Sequence, residues 1–174
     1  MNRETGPIFA LLADDHARLD ALLGQAVGDG AEVELDAFGA FRAGLLRHIA
    51  LEEKLLIPAA TAARGGEPLP FARRLRVDHG ALAALLVPTP LASTAGEIRK
   101  ILVPHNELEE GPGGLYETCD ALLPAAEKEA LLTRMRAYPP VRVARYHDGP
   151  RVCRTAEEAL RISGLQTEAR QPKR

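Results

Sequence analysis

Four of the five histidines in this 174-residue chain recur at helical spacing within apolar patterns. They are His16, His48, His79 and His105. Two of the four are followed, four residues later, by a glutamate: Glu52 after His48 and Glu109 after His105. Four residues advance about 400° around an α-helix, so each His–Glu pair lies on one face, one turn apart. The spacing therefore predicts that imidazoles and carboxylates share the buried faces of several helices.

Burying these groups requires compensation, because an unpaired carboxylate in a protein interior costs several kcal/mol. Either a metal ion supplies it, or the six groups pair with one another as hydrogen-bonded His–Glu couples. The residues that follow the two glutamates, Glu53 and Glu110, are rotated by about a further 100°. We expect their side chains to point to solvent or to a neighbouring helix.

The pattern occurs twice along the chain. DDHARLDALL at 14–23 resembles VDHGALAALL at 77–86, and HIALEE at 48–53 matches HNELEE at 105–110. A duplicated helical hairpin would arrange the groups around a pseudo-twofold axis, which favours a two-metal site. If both glutamates bridge and each metal takes two histidines, each metal has four protein ligands and room for a bridging oxygen and a small molecule. Imidazole and carboxylate without thiolate suit iron, manganese or zinc, and six side chains exceed the four of a structural zinc site.

The elements that must position these residues are predicted to be helical. The chain has 29 alanines and 26 leucines against 14 valines and isoleucines combined, which favours an all-α fold. Periodicity, caps and breaks predict four long helices: from Pro7 to near Gly28–Gly30, from Glu34 to Gly65–Gly66, from Pro70 to Val87, and from Ser93 or Thr94 through a kink at Pro104. Short loops favour an up-down-up-down four-helix bundle, and further helical pieces follow the GPGG break at 111–114.

The character of the sequence changes at Pro139–Pro140. VRVARY and RVCR, separated by HDGP at 147–150, predict a small β-hairpin, followed by a short helix capped by Thr155 with Glu158. We therefore predict a di-metal bundle at 1–138 and a basic C-terminal appendage at 139–174. The appendage holds 8 Lys/Arg and 4 Asp/Glu, which fits a solvated surface or, alternatively, a docking patch for an acidic protein partner.

Composition excludes several other classes. A net charge of −2, 4% aromatic residues and no tryptophan argue against a nucleic-acid binder. No apolar run approaches the ~20 residues of a membrane span, and the N-terminus lacks a secretion-type segment. Cys119 and Cys153 are far apart, which indicates neither a disulfide scaffold nor a thiolate metal site. We expect a cytoplasmic protein.

The chain resembles the hemerythrin-like HHE cation-binding domains over roughly residues 8–124. The resemblance rests on the four histidines and two glutamates and on the flanking LLRHIALEEKLLIP and ILVPHNELEEGPGGLYE. It implies a bundle around a non-haem di-iron centre with an oxo or hydroxo bridge, which handles oxygen, nitric oxide, redox signals or iron itself. The implied metal ligands are His16, His48, Glu52, His79, His105 and Glu109. Ferritin-like di-iron bundles are excluded, because none of these histidines has a glutamate three residues before it.

The sequence departs from the oxygen-carrying hemerythrins, which place two histidines one turn apart on the third helix. Here the positions one turn from His79 are Leu75 and Ala83, and the last carboxylate is a glutamate at spacing four. This departure argues against reversible oxygen carriage and leaves metal binding intact. For the function we expect a non-catalytic protein that binds metal and a small ligand. The alternatives are a di-iron oxidase or peroxidase, and an interaction module with a structural metal.

Other polar residues near these motifs could reach the site, but we expect them at the surface or in packing positions. They are Asp14, Asp15, Glu53, Asp78 and Tyr116. We expect His147 in an exposed turn and Cys119 in the core.

Overall fold

The computed structural model describes residues 5–28 and 32–169, and all of their regular secondary structure is helical. The elements are α1 (Pro7–Val27), α2 (Leu35–Leu51), a π-helical turn (Glu52–Leu56), α3 (Ile57–Ala63), α4 (Ala72–Leu85), α5 (Thr94–Glu110), α6 (Leu115–Leu122), α7 (Ala125–Arg136) and α8 (Ala156–Ala169). The prediction of an all-α fold is confirmed.

The four predicted long helices are present with small shifts at their ends. The first ends at Val27, and part of its predicted boundary at Gly28–Gly30 lies outside the described residues. The second consists of α2, the π-helical turn and α3, which follow one another without a break. The third and fourth correspond to α4 and α5, and α5 continues through Pro104.

The π-helical turn has a local cause in the sequence. Proline has no N–H, and its ring clashes with the carbonyl four residues earlier in a regular α-helix. For Pro58 that carbonyl belongs to Lys54, inside the turn, and the wider π geometry relieves the clash. Within it, the N–H of Ile57 bonds to the carbonyl of Glu52, five residues back. Turns of this kind occur frequently at functional sites.

The core has two apolar halves. Leu12, Leu56, Leu75 and their neighbours form one cluster, and Leu19, Phe41, Leu82 and Ile98 belong to the other. Along α1, the buried residue between Leu12 and Leu19 is His16. The predicted histidines of the other three helices stand at the same transition, so the polar groups form a layer between the apolar clusters.

A tight turn returns the chain from α5 to the bundle. Gly113 has a φ of 73°, a conformation that glycine adopts at little cost. A Cβ on Gly114 would lie 2.7 Å from the Glu109 carbonyl oxygen, so only glycine allows this close approach. The helix that follows, α6, caps the start of α1, because Asp120 accepts hydrogen bonds from the N–H groups of Ile8 and Phe9 at 3.2 and 2.9 Å.

The predicted β-hairpin at VRVARY and RVCR is wrong: the described residues 139–155 contain no strand. Instead of pairing with each other, backbone groups of this segment bond to the bundle. Arg42 on α2 donates to the carbonyl of Ala144 at 2.8 Å, and the N–H of His147 donates to the carbonyl of Val87 at 3.0 Å. Backbone N–H and C=O groups that hydrogen-bond to the bundle do not need the hydrogen bonds of a β-sheet.

The predicted C-terminal helix is present and packs against α4. Its first turn is capped as expected, since the N–H of Glu158 donates to Thr155 Oγ1 at 3.3 Å. A Cβ on Gly80 would lie 2.7 Å from Ser163 Oγ, so the two helices meet closely beside His79. None of the described helices is long and apolar enough to cross a membrane.

Candidate metal centre

The structure brings all six predicted ligand residues together in the polar layer. Their donor atoms form two groups, within each of which all atoms lie within 4.8 Å of one another. One group contains His16, His48 and Glu109, and the other contains Glu52, His79, His105 and Glu109. Every one of these side chains is buried, and His16 is the most exposed at 9%.

In the first group, the inner ring nitrogens of two histidines converge. His16 Nε2 lies 2.9 Å from His48 Nε2 and 3.4 Å from Glu109 Oε2. Glu52 also reaches this side, with Oε1 3.5 Å from His48 Nε2. Two imidazole nitrogens and two carboxylate oxygens therefore face one another here.

In the second group, the other oxygens of the same two glutamates face the other histidine pair. Glu52 Oε2 lies 3.1 Å from His79 Nε2. Glu109 Oε1 lies 3.0 Å from His105 Nε2 and 3.8 Å from His79 Nε2. Each glutamate therefore directs one oxygen to each histidine pair, as a carboxylate that bridges two metal ions does.

Several of these close contacts are not hydrogen bonds. Glu52 Oε2, His79 Nε2 and Glu109 Oε1 are buried and have no hydrogen-bond partner among the described residues, although they lie 3.1–3.8 Å apart. The alternative of His–Glu hydrogen-bonded couples leaves these atoms unsatisfied, at a cost of roughly 1–3 kcal/mol each or more. Buried nitrogen and oxygen donors that converge without hydrogen bonds fit a bound cation, and these donors suit iron, manganese or zinc.

Each histidine also has a carboxylate at its outer ring nitrogen. His48 Nδ1 lies 3.0 Å from Asp15 and His79 Nδ1 lies 2.9 Å from Glu53. His16 Nδ1 lies 2.5 Å from Glu110, and His105 Nδ1 faces Asp78 at 3.5 Å. Such partners orient the ring of a metal-binding histidine and raise its basicity.

Local spacing contains little indication of these outer partners. Glu53 and Glu110 face neighbouring helices, one of the two directions predicted, and Asp14 is exposed as expected. Asp15 and Asp78, expected at the surface or in packing, contact histidines instead. The available signal is their position: each directly precedes a predicted ligand, His16 or His79.

Without a cation, contacts between the buried histidines and carboxylates shift the pKa values of both. Burial lowers the pKa of His48, but the Glu52 charge and the hydrogen bond to Asp15 outweigh it and raise the pKa to about 10. Burial likewise opposes a higher pKa for His105, and contacts with Asp78 and Glu109 raise it to about 8. Burial raises the pKa of Glu109, but its histidine partners hold it well below the ordinary value. Without a cation, these contacts therefore favour the imidazolium form of His48 and His105 and the carboxylate form of Glu109.

Tyr116 is part of the site, although the sequence favoured a packing role. Its side chain is fully buried, and its hydroxyl donates to Glu52 Oε1 at 2.8 Å. The hydroxyl oxygen of Tyr116 also lies 3.1 Å from Glu109 Oε2, 3.2 Å from His16 Nε2 and 3.3 Å from His48 Nε2. Nothing in the local spacing places α6 back over the layer, so periodicity left Tyr116 as one of several polar residues that could reach the site.

A cavity of about 150 Å³ borders His16, the most exposed of the six residues. Leu19, Leu45, Leu102 and Val103 line it, with Arg99 and Asn106 among its polar groups. By contrast, His147 is exposed and belongs to neither donor group, and Cys119 is buried in the core as expected.

The comparisons with known proteins agree with this geometry. The family model for the Hemerythrin HHE cation binding domain matches residues 8–112, which include all six predicted ligands. No curated protein and no solved structure matches the chain.

Proposed function

Because the chain belongs to the hemerythrin HHE cation-binding domain family, we propose that it is a non-haem di-iron protein that handles or senses oxygen, nitric oxide, redox state or iron. The proposed ligands are the six predicted residues: His16, His48, Glu52, His79, His105 and Glu109. Bound iron would supply one-electron redox chemistry and affinity for small diatomic molecules. Manganese or zinc would fit the same donors.

One observation carries the proposal of two ions. Glu52 directs Oε1 towards His48 and Oε2 towards His79, and Glu109 directs Oε2 towards His16 and Oε1 towards both histidines of the other pair. A single cation cannot take both oxygens of both glutamates while contacting imidazoles on opposite sides. Two cations, each with two histidines and one oxygen of each glutamate, use every inner donor.

We also propose the up-down-up-down order for the four long helices. The order in which each helix contributes to the two apolar clusters supports it. Leu12 precedes Leu19 along α1, whereas Leu45 of the second cluster precedes Leu55 of the first along α2 and its extension. This alternation of direction would give the bundle the near-twofold symmetry that the duplicated motifs suggest.

The proposed ligand is a small molecule. The cavity beside His16 is large enough to admit a diatomic molecule to the site, since one water occupies about 30 Å³ in the liquid. The apolar side chains that line it, Leu19, Leu45, Leu102 and Val103, suit an uncharged molecule such as oxygen or nitric oxide. We propose a binding protein, and a di-iron oxidase or peroxidase is the alternative.

The decisive experiment loads the metal-free protein with iron(II) under anaerobic conditions and measures iron per chain by elemental analysis. We expect close to two ions in the wild type. Glu52→Ala should lose much of this iron, because a bridging ligand disappears, whereas the adjacent Glu53→Ala should still bind iron. No iron in the wild type, or equal damage from the two variants, would contradict the proposal.

Reactivity separates a binder from an enzyme. The reduced, iron-loaded protein is mixed with nitric oxide under anaerobic conditions, and separately with excess peroxide or oxygen. A stoichiometric spectral change with nitric oxide, without sustained consumption of peroxide or oxygen, is the expected result. Continuous turnover would identify an oxidase or peroxidase instead.

A further inference from the structure

The hydroxyl of Tyr116 lies within the first donor group and not at its edge. Its four polar neighbours are two carboxylate oxygens and two imidazole nitrogens, at 2.8–3.3 Å. All four neighbours belong to proposed metal ligands. A tyrosine that only packed against the site would contact one of them or none.

These distances are those between neighbouring donor atoms of one ion. With bonds of about 2.1 Å, adjacent ligands of a square-pyramidal or octahedral ion lie about 3 Å apart. The hydroxyl is at that separation from His16, His48, Glu52 and Glu109. It therefore occupies the place of a fifth donor atom.

The chain holds the phenol firmly in this place. Tyr116 packs edge-on against Phe9, and the turn at Gly114 fixes the start of its helix. Three residues after Tyr116 is the buried Cys119, and Asp120 caps α1 from the same helix. The hydrogen bonds from α1 to Asp120 hold α6 against the bundle, and with it the hydroxyl over the polar layer.

The two halves of the duplicated motif differ at this point. Tyr116 is seven residues after Glu109, and the residue seven positions after Glu52 is Ala59, which has no polar side-chain atom. Tyr116 also lies beyond the last residue matched by the family model. The phenol thus serves only the side of the site occupied by His16 and His48.

We propose that Tyr116 is a metal ligand: it binds the iron ion held by His16 and His48 through its phenolate oxygen, and the ion held by His79 and His105 lacks this donor. This inference rests on the proposed di-iron function. On binding, the O–H bond breaks, the proton leaves to solvent, and the oxygen electron pair forms the Fe–O bond, with no change in oxidation state. The two irons are then inequivalent, with the more open position at the second ion.

The test uses the full-length, oxidised, iron-loaded protein and its visible spectrum. An iron(III) phenolate gives a charge-transfer band, and resonance Raman excitation within that band enhances the ring vibrations of the bound tyrosine. We expect both signals in the wild type and their loss in Tyr116→Phe. Tyr138→Phe is the matched control, because Tyr138 is half-buried against the same apolar cluster but belongs to neither donor group, and it should retain both signals.

Iron analysis of the same samples separates the two levels of inference. A wild type that binds no iron would overturn the di-iron proposal and this one with it. A wild type that binds iron but lacks the phenolate signals, or a Tyr116→Phe protein that keeps them, would overturn the tyrosine ligand alone. If Tyr116→Phe fails to fold, wild type grown with ring-deuterated tyrosine decides the question, because its enhanced vibrations must shift if the ligand is a tyrosine.

Discussion

Each histidine of the site faces a carboxylate with both of its ring nitrogens. The inner nitrogen faces the glutamates, and the outer one faces a carboxylate from a different helix. The pattern repeats with the duplicated motif: Asp15 and Asp78 each serve the second histidine of their own half. Glu53 and Glu110 each serve the first histidine of the other half. The outer carboxylates thus tie the halves together and fix which nitrogen is presented to a metal.

The first prediction concerns one outer carboxylate. Glu53→Gln keeps the shape of the side chain but removes the charge beside His79 Nδ1. We expect metal affinity to fall about 10–100-fold, the usual effect of losing such a partner, with stoichiometry unchanged at saturation. Competition titration with a chromophoric chelator and zinc measures the affinity. Glu67→Gln, at a glutamate that is 81% exposed, is the control and should bind as the wild type does; an equal affinity in both variants would show that Glu53 does not act on the site.

The second prediction follows from the raised histidine pKa values. A metal must displace protons from His48, whose pKa is about 10, and from His105, whose pKa is about 8. Below these values the protonated, metal-free form is favoured, so affinity should rise as pH increases from 6 to 8. The metal affinity should rise about tenfold per pH unit for each proton that the metal displaces. Zinc titrations at several pH values measure it, and an affinity independent of pH would mean that these histidines are neutral before binding.

The same shifts govern the stability of the metal-free protein. The folded pKa of His48 is above its ordinary value, so its contribution to folding is complete below pH 6.5 and is lost as pH rises towards 10. Burial raises the pKa of Asp15, but the His48 contact lowers it to about 2, so its contribution is lost in acid. We expect the metal-free protein to resist urea best between about pH 4 and pH 6.5, a range bounded by the ordinary pKa values of aspartate, 3.8, and histidine, 6.5. A higher midpoint at pH 9 than at pH 6 would contradict this.

At the scale of the elements, helical periodicity was enough to find the polar layer that contains the proposed ligands. The histidines and the glutamates four residues later lie on the same stripes as Leu12, Leu45 and Leu82, so their burial followed from spacing alone. Where the chain leaves its regular period, spacing fails. The π-helical turn after His48 and the return of α6 over the site depend on Pro58 and on backbone contacts around Gly114, which no periodic pattern describes.

The predicted hairpin failed for a related reason. Alternating residues in VRVARY fit a strand, but a strand needs a backbone partner, and the bundle supplies competing ones. Arg47 donates to the carbonyls of Met135 and Tyr138 at 3.1 Å, just before the segment begins. Such long-range side-chain contacts to the backbone are invisible to local sequence patterns.

The element-scale prediction tests the turn that positions α6. In Gly114→Ala the new Cβ would lie 2.7–2.8 Å from the carbonyl oxygens of Glu109 and Leu108, so the backbone must move. We expect the free energy of unfolding to fall by about 1–3 kcal/mol. Gly96→Ala, in α5 with open space around its Cβ, should instead gain about 0.5–1 kcal/mol. Urea unfolding of the metal-free proteins compares the two, and equal stabilities would mean that the turn adapts freely.

At the scale of the whole molecule, the C-terminal segment contributes packing and no predicted metal ligand. We therefore propose that residues 1–138 hold the metals and that 139–174 are dispensable for binding. A chain truncated after Ala137 loses α8 from the surface of α4, where Ala81 and Leu85 are buried. We expect near-normal iron per chain and a free energy of unfolding lower by at least about 2 kcal/mol. A soluble truncated chain that binds markedly less iron would place part of the site in the tail.

The last prediction concerns how the whole site reacts with air. Leu75, one turn before His79, is buried in the apolar core, and Ala83, one turn after it, has no donor atom. Neither position therefore supplies the second histidine that the oxygen carriers have on this helix. With two proposed bridging carboxylates and one neutral donor fewer than in the oxygen carriers, the proposed ligand set favours iron(III) over iron(II), because hard anionic oxygens stabilise the higher charge. We expect the reduced protein to oxidise rapidly in air and to settle in the diferric state, as suits a sensor or scavenger. Reduction followed by admission of air, with the visible spectrum recorded over time, makes the measurement. An oxygen complex that lasts and releases oxygen under vacuum would instead identify a carrier, and would mean that a donor not counted among these residues caps the second ion.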